Sequence, residues 1–207
     1  MSTCRLARFA APAFALLAAP FVFAALAPQQ KPKPDAPQIP FPEQSARGCT
    51  RLFFWNGDHS GGEVVVDYGK PVWRDDYDAV VAKAEPARWR FGQNFWTTLD
   101  TNIDLAFGKV EVAPGQWYLV LERKADGTFT LVLLDPVDVR DHHLDAFTVA
   151  LTKGGTEVPL AYRKVDARAD HLLVRLDLDG SAKHGAKLVI QFGKHELSAP
   201  FVMKPAD

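Results

Sequence analysis

Cysteine and serine are scarce in this chain, and the sequence motifs that usually carry catalysis are missing. Only two of the 207 residues are cysteines, so the chain cannot be a small scaffold held by several disulfides. No Gly-x-Ser-x-Gly segment marks a hydrolase nucleophile, and no glycine-rich loop marks a phosphate site. We therefore expect no catalytic residue and no cofactor, and the sequence favours a protein that is not an enzyme.

An excess of charge of one sign is missing as well. The formal net charge is −1, and no cluster of Lys and Arg forms the basic patch that binding to a nucleic acid duplex needs. We expect no nucleic-acid partner. The composition, 47% hydrophobic and 24% charged with 14 Phe, is that of a globular protein able to build a sizeable core.

Residues 1–27 have the three parts of a signal peptide. Arg5 and Arg8 provide a positive start, residues 9–26 are almost all apolar, and Ala25-Leu26-Ala27 offers a small-residue cleavage pattern. Cleavage after Ala24 is an alternative to cleavage after Ala27. The segment predicts export to the periplasm or the medium.

Two prolines argue against an uncleaved membrane anchor. Pro12 and Pro20 interrupt the apolar segment, and a spanning helix needs about 20 predominantly apolar residues. We therefore expect no transmembrane span in the mature chain.

Residues 28–47 form a proline-rich segment. Six of the 15 prolines fall between Pro28 and Pro42, and proline favours an extended chain. We interpret the segment as a linker, either a spacer or a disordered tail. Cys49 follows it and has no internal disulfide partner once Cys4 is lost with the signal peptide, so a free, partly buried thiol is expected and an intermolecular bridge stays open.

The rest of the chain, residues 48–207, predicts a single β domain. Alternating apolar runs are separated by turn signals such as Pro114-Gly115 and Asp126-Gly127. One amphipathic helix is predicted at Asp75–Glu85, before Pro86. Eight to ten short strands with one short helix predict a mainly β fold, an antiparallel β-sandwich or a partly open barrel.

Several strand predictions are specific. Residues 99–107 alternate and predict one long strand, and Phe147, Val149 and Leu151 alternate as a further strand would. Residues 187–192 and 197–203 predict two strands joined by a tight turn at Gly193-Lys194.

The densest group of potential metal ligands is Asp141-His142-His143-Leu144-Asp145. In a loop, His142, His143 and Asp145 could share a metal ion, which makes a metal-dependent hydrolase one alternative. Adjacent histidines on a strand point to opposite faces, and no H-x-H or H-E-x-x-H motif is present. A polar connector between two strands is the competing interpretation.

An aromatic segment, ARWRFGQNFWTTLD at residues 87–100, is the other candidate site. With Trp117 it could supply a face on which sugars or peptides stack, which makes a carbohydrate- or peptide-binding domain the second alternative. Aromatic side chains in β proteins are often core residues, so a structural bend stays open. The candidate ligand-binding residues are Arg90, Asn94, Trp96, Thr97 and Trp117.

The same segment carries a resemblance to a family. Its pattern Trp-Arg-x-Gly-x-Asn-x-x-Thr, with Tyr68-Gly69-Lys70-Pro71 before it and Pro114-Gly115-Gln116-Trp117 after it, resembles the exported bacterial proteins of domain of unknown function family 2911. Phe95-Trp96 stands where that family has Glu-Ala, so a role of that Glu is lost here. The resemblance implies an exported domain without an established activity.

These patterns together predict an exported domain of the cell envelope. The preferred interpretation is a non-catalytic binding or structural module, whose partner is an unknown envelope protein or a glycan.

Overall fold

Strands dominate the computed structural model, which describes residues 45–55, 61–83 and 85–205. The predicted signal peptide, residues 1–27, and all but the end of the predicted linker, 28–47, lie outside the described residues. The strands are β1 Arg47–Trp55, β2 Gly61–Gly69, β3 Ala87–Trp89, β4 Thr97–Thr101, β5 Asp104–Phe107, β6 Val110–Val112, β7 Gly115–Arg123, β8 Phe129–Leu134, β9 Thr156–Leu178 and β10 Gly185–Lys204.

All pairings between these strands are antiparallel. They follow one path, β1-β2-β4-β7-β8-β9-β10-β5-β6, and β3 pairs with β7 beside that path. The sheet is not closed into a barrel. A mainly β, antiparallel fold with eight to ten strands is therefore confirmed in the part of the chain that the structure describes.

The two longest strands fold the sheet back on itself. The first residues of β9 pair with β8, and most of its remaining length pairs with β10. The backbone N–H of Leu176, in β9, also donates to the hydroxyl of Thr50 in the edge strand β1, at 3.3 Å. The two halves of the sheet consequently face each other.

A single large core fills the space between the halves. Strand alternation supplies much of it, because every second residue of β2, of β4 and of residues 172–176 in β9 is buried. Its fully buried members include Val66, Leu99, Leu119, Val174 and Leu188.

A second, smaller cluster lies on the outer side of β7 and β8. Its buried members are Tyr118, Val120, Val132, Leu134, Val139 and Val149. Val139 belongs to helix α2, Pro136–Asp141, and Val149 belongs to a 3-10 turn, Val149–Leu151. These two elements cover this side of the sheet. This explains why all six residues of β8 are buried, whereas a half-exposed strand would alternate.

The predicted strand at residues 99–107 is wrong, because the chain breaks there into two strands. β4 pairs with β2 and β7, whereas β5 pairs with β10 and β6. Thr101 makes the bend between them: its hydroxyl donates to the carbonyl of Ile103 at 2.9 Å and accepts from the N–H of Ile103 at 3.2 Å. Alternation continues through the bend, so the pattern alone hides it.

The tight turn predicted at Gly193-Lys194 is also wrong. β10 continues through it as one strand, and its register with β9 shifts on both sides of Gly193. The extra residues lie in β9, because the partners of Gln191, Gly193 and His195 are Leu173, Ala169 and Lys164. Gly193 lies opposite this irregular part of β9 and has a positive φ of 60°, which glycine adopts readily. The two strands predicted from residues 187–192 and 197–203 are therefore one.

The helical content differs from the sequence prediction in two places. The predicted helix Asp75–Glu85 exists as the shorter α1, Tyr77–Ala82. Phe147, Val149 and Leu151 form no strand. Phe147 precedes the 3-10 turn, and Val149 and Leu151 are the first and last residues of that turn. Asp135 caps α2 by accepting from the N–H of Val137 at 2.7 Å, a signal that the sequence contains as Asp135-Pro136.

Cys49 is exposed on β1, where a partly buried thiol was predicted. It shares the outward face of that strand with Arg51, Phe53 and Trp55. Among the described residues, no helix is long and apolar enough to cross a membrane.

Candidate ligand cavity

A cavity of about 310 Å³ opens beneath helix α1, at the end of the sheet where β9 and β10 are irregular. Its walls are almost entirely apolar, and aromatic rings make up much of them. Those rings belong to Trp73, Tyr77, Trp89, Phe91, Phe129, Tyr162 and Phe192. Aliphatic side chains from α1, β7, β9 and β10 complete the lining.

The segment between β2 and α1 brings Trp73 to the cavity. This segment lies along the edge of β9: the N–H of Leu172 donates to the carbonyl of Pro71 at 3.0 Å, and the N–H of Trp73 donates to that of Asp170 at 2.8 Å. Trp73 is buried and meets Phe192 edge-on, with ring centres 4.9 Å apart. The wall is thus fixed by main-chain bonds.

Gly193 in β10 allows Trp73 to pack closely against that strand. A Cβ atom at this position would lie 2.6 Å from the ring of Trp73, so only glycine allows the indole to pack there. Gly193 and His195 are two positions apart in β10, so they lie on the same face of that strand. The ring of His195 lies 5.5 Å from that of Trp73, and both of these residues line the cavity.

Helix α1 forms the roof of the cavity. Val80 and Val81 line the cavity with Tyr77, although no residue of the helix is buried. Arg123 holds the last turn, because one of its guanidinium nitrogens donates to the carbonyls of both Val81 and Lys83.

A chain of three polar side chains connects this roof to the sheet. His195 lies at its centre, with Nε2 2.7 Å from Oδ1 of Asp78 on α1 and Nδ1 2.9 Å from the hydroxyl of Tyr162 on β9. His195 is buried, whereas Asp78 and Tyr162 are exposed. The imidazole and the phenol both line the cavity.

Arg90 is the one predicted ligand-binding residue that lines this cavity. One guanidinium nitrogen donates to the carbonyls of Asn94, at 2.9 Å, and Ala146, at 3.4 Å. The guanidinium carbon lies 4.7 Å from the ring centre of Phe147. None of these three partners lines the cavity, so the charged end of Arg90 is directed away from it.

The other predicted residues are not gathered into one site. Asn94 donates to the hydroxyl of Ser45 at 2.9 Å, and the indole N–H of Trp117 donates to the carbonyl of Ala113 at 3.1 Å. Trp117 packs against the large core, whereas Trp96 belongs to the outer cluster, where it stacks on Tyr118 at 4.8 Å. The two indoles consequently lie on opposite sides of the sheet.

Thr97 and Gly92 form the bend that leads into β4. Thr97 is fully buried, and its hydroxyl donates to the carbonyl of Phe91. Gly92 has a φ of 117°, and a Cβ atom there would lie 2.6 Å from the Thr97 hydroxyl. The Trp-Arg-x-Gly-x-Asn-x-x-Thr pattern thus builds a corner, from which only its first half reaches the cavity.

The predicted metal-ligating residues have local structural contacts. His142 is the C-cap residue of α2, with Nδ1 2.7 Å from the carbonyl of Asp138, and His143 has a φ of 53°. Asp145 accepts from the N–H groups of Phe147 and Thr148 at 2.7 and 3.1 Å. Within residues 45–55, 61–83 and 85–205, no group of three or more His, Cys, Asp or Glu side chains could hold a metal ion.

Sequence reasoning missed Asp78, Tyr162 and His195 as a group. They come from a helix and two strands that are far apart in the chain, and no short motif connects them. The available signal was weak: Asp78 lies in the first turn of the predicted helix, and His195 follows Gly193 closely.

Neither a known protein family, nor a curated protein, nor a solved structure matches this chain. The resemblance to domain of unknown function family 2911 therefore stays a prediction.

Proposed function

We propose that this chain is an exported, non-catalytic binding domain of the cell envelope, and that its ligand is a small apolar molecule held beneath α1. The observation that carries the proposal is the cavity walled by seven aromatic rings. Its volume of about 310 Å³ lies at the lower end of the range for small-molecule sites, roughly 300–1,000 Å³. The signal-peptide pattern in residues 1–27 and the family resemblance support export.

The apolar walls give the ligand its affinity. Aromatic and aliphatic surface that faces water gains about 25 cal/mol for each Å² that a ligand covers. Flat rings add directional contacts, because aromatic pairs prefer edge-on or offset packing. A cavity of this kind favours a compact ligand with one or two rings over a long or highly polar one.

The polar side chains at the cavity are held by hydrogen bonds. Asp78 and Tyr162 each bond to His195, and the guanidinium of Arg90 bonds to carbonyls outside the cavity. This arrangement suits recognition, because the bonded groups hold fixed directions toward a ligand.

A fluorescence titration tests the proposal. N-phenyl-1-naphthylamine, an uncharged apolar probe that brightens on leaving water, should bind the purified protein. Val80→Arg places a charge at the cavity, where an uncompensated ion is unfavourable, and should weaken binding by at least about tenfold. The variant should remain folded, since Val80 is 43% exposed.

The matched control is Val137→Arg. Val137 also lies on a short helix and is 60% exposed, but it does not line the cavity, so this variant should bind the probe as the natural protein does. Equal affinity in all three proteins, or no binding by the natural protein, would show that the cavity is not a ligand site.

A further inference from the structure

We infer that the ligand is an uncharged aromatic alcohol or phenol, whose hydroxyl donates a hydrogen bond to the phenolic oxygen of Tyr162. This inference rests on the proposed binding function and names the chemistry of its ligand. Three features support it: the direction of the hydrogen bonds through His195, the placement of the charged groups near the cavity, and the geometry of the aromatic walls.

Asp78 determines the direction of the hydrogen-bond chain. A carboxylate only accepts hydrogen bonds, so Nε2 of His195, 2.7 Å away, carries the proton and donates. In the neutral imidazole Nδ1 is then an acceptor, and the hydroxyl of Tyr162 donates to it across 2.9 Å. This tautomer follows from the bonding partners.

The hydroxyl of Tyr162 thereby becomes an acceptor toward the cavity. Its one proton is used by His195, which leaves the lone pairs of the phenolic oxygen for a ligand. Tyr162 is 41% exposed and is one of the residues that line the cavity, and we place the hydroxyl of the ligand beside this oxygen. A ligand that donates is therefore preferred over one that only accepts.

The placement of the nearby charges favours an uncharged ligand. Asp78 does not line the cavity, and the guanidinium of Arg90 is directed toward the carbonyls of Asn94 and Ala146. An ammonium or carboxylate ligand would lose its hydration among apolar walls without gaining a partner of opposite charge.

The aromatic walls favour an aromatic ligand. Trp73 meets Phe192 at an interplanar angle of 83° and Tyr77 at 79°, so these rings already pack edge-to-face. An inserted ring extends this packing, since the edge of one ring is attracted to the face of another.

A pair of matched ligands tests the inference. 2-Naphthol and 2-methoxynaphthalene share the same ring system, but only the first can donate a hydrogen bond. The natural protein should bind 2-naphthol roughly 2- to 10-fold more tightly than 2-methoxynaphthalene. Isothermal calorimetry or quenching of tryptophan fluorescence gives both dissociation constants.

Three variants locate the preference. Tyr162→Phe removes the acceptor, and it should abolish the preference while 2-methoxynaphthalene still binds. Asp78→Asn should reduce the preference, because an amide also donates and no longer fixes the direction of the chain; Asp78 is thus a positioning residue. The control Asp177→Asn should change nothing, since Asp177 pairs with Arg175 and neither residue lines the cavity.

Each outcome decides one claim. A preference for 2-naphthol that Tyr162→Phe removes supports the inference. Equal binding of the two compounds overturns it but leaves the binding function standing, as does tighter binding of 2-naphthoate or 2-naphthylmethylamine. Failure of all four compounds and of the uncharged apolar probe overturns the proposed function and the inference together.

Discussion

A missing side chain at Gly193 allows Trp73 and His195 to share one wall of the cavity. The glycine has a φ of 60°, and its Cα hydrogens face the indole where a Cβ atom would lie 2.6 Å from it. The residue thus meets two demands at once, an unusual backbone conformation and a close approach.

Replacing Gly193 tests the backbone conformation and the close packing against Trp73 together, and a second glycine tests the backbone conformation alone. Gly193→Ala should destabilise the protein by about 2–4 kcal/mol, from backbone strain together with overpacking against Trp73. Gly108→Ala is the control: its φ is 63°, but nothing lies within 4 Å of the added Cβ, so only the strain of about 1–2 kcal/mol applies. Urea unfolding measures both, and equal losses would contradict the close packing against Trp73.

Asp126 makes a turn whose bonds depend on its charge. In the β7–β8 hairpin, the hydroxyl and the backbone N–H of Thr128 both donate to this carboxylate. These two bonds, the hydroxyl bond more than the other, lower the pKa of Asp126 below its ordinary value of 3.8. The stabilisation from these bonds is complete above the pKa that Asp126 has in the unfolded chain. It is lost as the pH falls through the lower pKa that Asp126 has in the folded protein.

Thr128→Val should raise the pKa of Asp126, because the hydrogen bond from the Thr128 hydroxyl is the largest cause of the lowered pKa. Carboxyl NMR shifts followed against pH measure this change. The pKa of Asp179, lowered by Ser181 in another loop, should not move in this variant and serves as the control. An unchanged pKa of Asp126 would contradict the assigned cause.

Helix α1 has six residues, which is too short to be stable by itself. None of its side chains is buried, and no side chain caps its N-terminus. Contacts with Arg123 and His195 therefore hold it over the cavity. This makes α1 the part of the site that opens most readily.

Arg123→Met should loosen α1 without unfolding the sheet. Hydrogen bonds from a charged donor contribute about 1.5–3 kcal/mol, so exchange of the Lys83 amide, bonded to Ala79, should rise roughly 10- to 100-fold. The control Arg175→Met removes a pair with Asp177 on β9 and should leave this amide unchanged. No change at Lys83 in Arg123→Met would show that packing alone holds the helix.

A local pattern in the sequence predicted the Asp126-Gly127 turn, which joins β7 to β8. Turn chemistry acts between neighbouring residues, so a single sequence contains it. The bend at Thr101 and the continuous strand through Gly193 could not be predicted in this way. The strands on the two sides of the bend pair with different, distant strands, and Gly193 packs against the distant Trp73.

The candidate site shows the same limit. The aromatic segment at residues 87–100 was recognised as unusual, and Trp89 and Arg90 do line the cavity. Trp96 and Trp117 were grouped with it, although alternation in β7 and the bend at Gly92 place them on opposite sides of the sheet. Tertiary pairing decides such groupings, and a single sequence does not contain it.

The chain as a whole is proposed to reach the cell envelope through residues 1–27. Expressed in a bacterium, it should appear outside the cytoplasm with Ala25 or Pro28 as its first residue, as read by mass spectrometry. Arg5→Glu with Arg8→Glu should block export, whereas Lys31→Glu with Lys33→Glu, in the linker, should not. Full-length protein retained in the cytoplasm would contradict the proposal.

The proposed binding site is tested most directly by the five tryptophan indole N–H signals in an NMR titration with 2-naphthol. Trp73 and Trp89 line the cavity, whereas Trp55, Trp96 and Trp117 do not. A ligand beneath α1 should therefore shift the first two signals and leave the other three in place. Shifts confined to Trp55, Trp96 or Trp117, or no shifts at all, would contradict a ligand site in this cavity.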